Sequence, residues 1–113
     1  MEIISEAIDL VRLREMAARR FGDMVKAVVD VEKGIMAVDA ELHADEEGLL
    51  LEGGSAQANL WGINLYPDVA GEDWIEFDSM INLRPSQGNR SRGVDDPGMR
   101  RKITEIVLRL VKR

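Results

Sequence analysis

The feature that most constrains the fold is a pair of alternating apolar runs around a short turn. Val25, Ala27, Val29 and Val31 recur at every second position, and so do Met36, Val38, Ala40 and Leu42 after Glu32-Lys33-Gly34. Successive side chains of an extended chain point to opposite faces, so this period gives a strand one dry face, where a helix would scatter the same residues around its axis. Gly34 supplies the positive φ that a tight hairpin turn asks for. The reading is two antiparallel strands, 24–31 and 35–43, whose other face carries Lys26, Asp30, Asp39, Glu41 and His43.

A second alternating pair follows at 60–66 and 74–83, joined by the Pro, Asp and Gly turn chemistry of 67–73. Trp61, Ile63 and Leu65 on one strand and Ile75, Phe77, Ile81 and Leu83 on the other are expected to face inward. Asn64, Tyr66, Trp74, Glu76, Asp78, Asn82 and Arg84 are expected on the opposite face. Three segments change period. Leu10, Leu13, Ala17 and Phe21 share a helical face, with Ser5 or Asp9 as the cap and Gly22 past the end. Residues 44–51 form a short helix limited by Gly48 and Gly53-Gly54. Asp96-Pro97 opens a last helix with Ile103, Ile106, Val107, Leu110 and Val111 on its buried stripe.

These elements predict one α+β domain over residues 1–113, in the order αββαββα. The expected core is a four-stranded, mainly antiparallel sheet of two hairpins. The N- and C-terminal helices lie on its apolar face and the short middle helix bridges the hairpins. A sheet with one dry and one polar face is ordinary antiparallel architecture.

Charge narrows the partners. The formal net charge of −6 divides unevenly: residues 84–113 hold nine Lys/Arg against three Asp/Glu, leaving six against eighteen in residues 1–83. Phosphate contacts dominate nucleic-acid affinity, so extended nucleic acid is not an expected ligand of so acidic a chain. A local basic segment suits an anionic small molecule, an acidic protein surface, or the acidic half of a second copy, and a homodimer is expected. The absence of Cys excludes disulfides, thiolate chemistry and Cys-based zinc sites. No run of 18 apolar residues or signal-type N-terminus is present, so the expectation is a cytoplasmic domain without a membrane partner.

Two constellations carry chemistry. Glu41 and His43 on one predicted strand, with Glu76 and Asp78 on another, offer oxygen and imidazole ligands that suit Mg²⁺ or Mn²⁺. The loop that follows the last strand presents Arg84, Gln87, Asn89, Arg90 and Arg92, donors that pair with phosphate or carboxylate. Asn64, Tyr66 and Asn82 are the uncharged polar neighbours of that loop on the same face. A serine hydrolase is not supported, since His43 is the single His and no Ser stands in a nucleophile-elbow pattern.

The runs Glu41-Leu-His-Ala-Asp-Glu46, Leu60-Trp-Gly-Ile-Asn-Leu-Tyr-Pro67 and Ile75-Glu-Phe-Asp-Ser-Met-Ile-Asn-Leu-Arg-Pro-Ser-Gln-Gly-Asn-Arg-Ser-Arg-Gly-Val94 carry a resemblance. They resemble a small prokaryotic family described as a domain of unknown function. The likeness covers nearly the whole chain, implies a bacterial or archaeal source and a stand-alone domain, and carries over no catalytic residue.

The expected function is that of a soluble binding domain that presents its polar sheet face and the 84–92 loop to an anionic ligand or protein partner. The alternative is a divalent-metal-dependent phosphoryl-transfer or hydrolytic enzyme, with the carboxylates and His43 as ligands or base and the arginines stabilising charge.

Overall fold

The alternating run after Met24 becomes the middle of the sheet. A computed structural model describes all residues, 1–113. Strands β1 (Glu2–Ile4) and β2 (Ile8–Asp9) precede helix α1 (Leu10–Arg20). Then come β3 (Val25–Asp30), β4 (Ile35–Val38), α2 (His43–Glu52), β5 (Leu60–Leu65), β6 (Ile75–Glu76), α3 (Pro97–Leu110) and β7 (Val111–Lys112). The main sheet has five strands in the order β1-β4-β3-β5-β6, and every pairing in it is antiparallel. A two-residue parallel ribbon joins β2 to β7 and so ties the two ends of the chain together.

The fold class is α+β, but the sheet has a fifth strand. The N-terminal lead-in is an edge strand, with Glu2, Ile3 and Ile4 opposite Val38, Ala37 and Met36. Helix boundaries follow their capping chemistry. Asp9 accepts from the Arg12 amide at the start of α1, and Asp96 accepts from the amides of Gly98 and Met99 at the start of α3. Each carboxylate satisfies donors that a first helical turn leaves without partners.

One face of the sheet is wholly apolar. Val25, Ala27 and Val29, Met36 and Val38, and Trp61, Ile63 and Leu65 meet Leu13, Met16 and Ala17 of α1 and Ile103, Ile106, Val107 and Leu110 of α3 in one buried cluster. Trp74 joins that cluster as well, a correction to its expected place on the polar face. A 3-10 turn at Glu72–Trp74 rotates the indole inward just before β6 begins.

The opposite face is not an open polar surface, because α2 packs across β3 and β4 there. Leu50 of α2 buries against Val28, Ala37 and Leu60. The architecture is therefore three layers, α1 and α3, the sheet, then α2 with the 79–92 segment. Two predicted strands are shorter than expected for local reasons. Strand β4 stops at Val38, since Asp39 takes φ 67° and turns the chain out of the sheet. The Asp39 carboxylate is held there by Arg19 at 2.8 Å and Arg20 at 3.0 Å. The last strand ends at Glu76, and a 3-10 turn at Met80–Asn82 with Ser79 as its cap folds back over the sheet.

Gly62 permits that return. A Cβ there would lie 2.5 Å from Cβ of Ser79, so only a glycine lets the 79–82 turn approach β5 this closely. No helix is long and apolar enough to cross a membrane.

A polar cleft between the middle helix and the sheet edge

The segment that follows β6 is held by two asparagine side chains. Asn82, fully buried, accepts from the Gly62 amide at 2.8 Å and donates to the Gly62 carbonyl at 2.9 Å. Its side-chain amide thus makes the paired bonds that a neighbouring strand's peptide would make. Asn89 donates to the carbonyls of Asn82, Ser91 and Gly93 and accepts from the Asp95 amide, so it braces the loop from within. Sequence reasoning placed both on a ligand surface. The geometry instead uses them to shape the backbone.

Arg84 is also a strut. Its guanidinium donates to the carbonyls of Gln57 (2.6 Å) and Leu60 (2.8 Å) and stacks on the Trp61 ring with 4.1 Å to the centroid. Burial lowers its pKa. Gln87 and Arg90 are exposed and their side chains have no protein partner, while the Arg90 amide donates to Asp95. Asp95 also accepts from the Ser91 hydroxyl, and these two hydrogen bonds hold its carboxyl below the usual range. Much of the basic C-terminal third is likewise tied to its own backbone. Arg100 donates to the Val94 carbonyl, Arg109 to that of Gly34 and Arg113 to that of Val69.

The proposed metal ligands do not meet. Glu41 is exposed on the far side of α2, 4.0 Å from Arg20. His43, Glu76 and Asp78 lie nearer one another, but no group of three or more His, Asp or Glu side chains is arranged to hold an ion. His43 left the strand because Asp39 ended it. It opens α2 instead and turns inward, where Nε2 donates to the Ile63 carbonyl at 2.8 Å. That bond fixes the proton on Nε2 of the neutral ring, and burial lowers the pKa of the imidazole so that the neutral form prevails. Nδ1 is left with a lone pair and no protein donor.

What the structure does bring together is a cleft of about 550 Å³ between the start of α2 and the β5–β6 edge. His43, Asn64, Tyr66, Glu76, Asp78 and Arg92 all line it, as does Lys26 from β3. Two sets proposed separately, one for metal and one for anion, therefore contribute to a single site. Arg84, Gln87, Asn89, Arg90, Asn82 and Glu41 do not line it. Met24, Leu42, Met80 and Ile81 form its apolar walls, and Leu42 and Met80 are 55% and 62% exposed at its mouth.

Charge within the cleft is organised. Arg92 donates to Asp78 at 2.7 Å, which pairs those two ions. Glu76 accepts from Asn64 at 2.8 Å and from the Tyr66 hydroxyl at 3.1 Å. Burial and the Glu76 hydrogen bond push the Tyr66 phenol up. Asn64, 6% exposed, also donates to the Asp78 carbonyl, and its Oδ1 has no donor at all. A buried polar atom without a partner costs roughly 1–3 kcal/mol, and Oε1 of Glu46, Oε2 of Glu47, Nε1 of Trp61 and Nε of Arg84 are in the same condition.

Glu46 was missed by sequence reasoning. It follows His43 by one turn on the buried face of α2, is 0% exposed, and accepts only from the Ala40 amide at 3.2 Å. Burial pushes its carboxyl up to about 9, so it is a neutral acid at pH 7. The detectable signal was its i, i+3 and i+4 spacing between His43 and Leu50, an inward stripe on a helix that the sequence reading treated as a bridge.

Fold and site define a three-layer α+β domain with a polar, mixed-charge cleft closed on one side by its middle helix. The chain belongs to the family described as protein of unknown function (DUF5674), whose model matches residues 2–110. No curated protein and no solved structure matches it.

Proposed function

We propose that this chain is a small-molecule binding domain whose ligand occupies the cleft lined by His43, Asn64, Tyr66, Glu76, Asp78 and Arg92. The observation that carries the reading is the cleft itself, where Lys26 and Glu76, both without an ionic partner, stand with the Arg92–Asp78 pair among polar and apolar walls. Clefts that bind small molecules combine apolar walls with a few fixed polar groups, and this one has that composition. The Arg84–Arg92 loop enters mainly as scaffold, with Arg92 as its contribution to the ligand. A thermal-shift screen against small polar metabolites tests the proposal, since a ligand that prefers the native state raises the melting temperature. The expected result is a dose-dependent rise that disappears in the Tyr66→Phe/Arg92→Ala double variant. Equal shifts in both proteins, or none with any compound, would sink it.

A catalytic reading has one observation in its favour, the free Nδ1 lone pair of a neutral His43 at the cleft. On that reading His43 is a general base. The metal-dependent form loses support because Glu41 lies apart from the other three residues. Hydrolase activity that vanishes in His43→Gln with the cleft intact would favour catalysis over binding alone.

We also propose a cytoplasmic location and a homodimer. Arg90, Arg101, Lys102 and Lys112 are the cations of the basic third without a protein partner, and they suit the acidic half of a second copy. Light scattering distinguishes a 12.7 kDa monomer from twice that mass, and a salt-sensitive dimer is the expected result.

A further inference from the structure

The charges in the cleft are not equivalent. Arg92 and Asp78 neutralise each other, while Lys26 and Glu76 have no ionic partner within the chain. The Lys26 ammonium rests 5.4 Å from the centroid of the exposed Phe21 ring and forms no ion pair. These two uncommitted charges have opposite signs, and the register places them on either side of Asn64. Lys26 is opposite Asn64 across β3 and β5, and Asn64 is opposite Glu76 across β5 and β6. Adjacent strands lie about 4.8 Å apart, so the row from Lys26 to Glu76 spans roughly 10 Å.

Resting on the cleft as the ligand site, we infer that it takes a small zwitterion, an amino acid with an apolar side chain. The ammonium lies against Glu76, and the carboxylate lies toward Lys26 and the free guanidinium nitrogens of Arg92. Each part of the row argues for this orientation. Asn64 holds the middle of the row in place, since its amide nitrogen donates to Glu76 and to the Asp78 carbonyl. Glu76 is a carboxylate without an ionic partner, which favours a cationic donor over a neutral one. A dianion would meet Glu76 unpaired, and a diamine would meet Lys26. The exposed Leu42 and Met80 at the mouth give the ligand's side chain an apolar seat.

The chain contains one His and one Tyr, and both line this cleft, so their ring resonances report directly on it. The experiment is an aromatic ¹H–¹³C NMR titration of the full chain with L-leucine, N-acetyl-L-leucine, L-leucinamide, putrescine and succinate. L-Leucine is expected to move the His43 and Tyr66 resonances saturably, with N-acetyl-L-leucine and L-leucinamide at least tenfold weaker. Glu76→Gln is expected to weaken L-leucine at least tenfold while leaving N-acetyl-L-leucine unchanged, and Lys26→Met should do the reverse with L-leucinamide as the control. Amide spectra establish that each variant is folded. If a singly charged compound, putrescine or succinate moves the same resonances as strongly as L-leucine, the zwitterion inference falls and the cleft stands as a site for that other chemistry. If no compound moves either ring, the zwitterion inference and the small-molecule reading of the cleft both fall.

Discussion

The two faces of the sheet are built on opposite principles. Against α1 and α3 the strands bury one continuous cluster of aliphatic and tryptophan side chains. Against α2 only Val28, Ala37, Leu50 and Leu60 form an apolar centre, and around them lie buried Asp30, His43, Glu46, Asn64, Ser79, Asn82 and Asn89. Apolar burial is non-directional and tolerant of detail, whereas a buried polar group must find its partner at the right distance and angle. The first face therefore supplies stability, and the second fixes one arrangement of chain around a cleft.

The largest effect should come from cutting the apolar face. Ile63→Ala removes a fully buried side chain facing α1 and α3 and is expected to cost about 2–5 kcal/mol in denaturant unfolding. A loss below about 1 kcal/mol would mean that this face does not carry the fold. Next comes the polar face at its most connected point. Asn82→Ala leaves the Gly62 amide and carbonyl without their side-chain partner and is expected to cost about 2–3 kcal/mol. It should also broaden the His43 and Tyr66 resonances, a readout that Ile63→Ala lacks if destabilisation alone is at work.

Two titrations sharpen the comparison further, because both buried ionisable groups of α2 belong to the polar face. Glu46 has its carboxyl raised from 4.5 to about 9 in the folded state. Its contribution is fully present below pH 4.5 and is lost as the pH rises toward 9. Glu46→Gln is therefore expected to flatten the fall in stability between pH 6 and 9, so that its advantage over the parent grows with pH across that window. An unchanged slope would place the proton elsewhere. His43 works in the other direction. Its pKa is lowered by burial, so its contribution is present above 6.5 and is lost as the pH falls through the depressed value. His43→Gln should remove that acid-side loss. The smallest effect is expected from Arg90→Ala, an exposed loop side chain without a protein partner, at under about 0.5 kcal/mol. A larger change would restore the loop surface as a working element.

The apolar face was readable from the sequence because period two and helical spacing report burial directly. Val25 through Val31, Trp61 through Leu65 and the stripe of α3 lie where their alternation puts them. The polar face was not, since its shape depends on events that periodicity does not encode. Asp39 turns at positive φ because two arginines from α1 hold it, and that single turn moves His43 from a strand to a buried helix start. Gly62 admits the 79–82 turn, and with it the alternation of 77–83 loses its meaning as a strand. The six cleft residues could be nominated by type and face, but not gathered. Asn64 and Glu76 adjoin by register and Tyr66 and Asp78 flank them along the chain, whereas Arg92 and His43 reach them only through tertiary contacts.

Asn82 and Arg84 have a consequence beyond the shape of the cleft. Strand β6 covers β5 only at Asn64 and Leu65, and further along, Gly62 is occupied by the Asn82 amide and the Leu60 carbonyl by Arg84. A strand rim with free amides and carbonyls is a template on which other chains can stack into fibrils. Here the rim is plugged by side chains, which cannot propagate a ladder as another strand would. The same two residues that shape the loop thus close the uncovered part of β5 to pairing with a further strand.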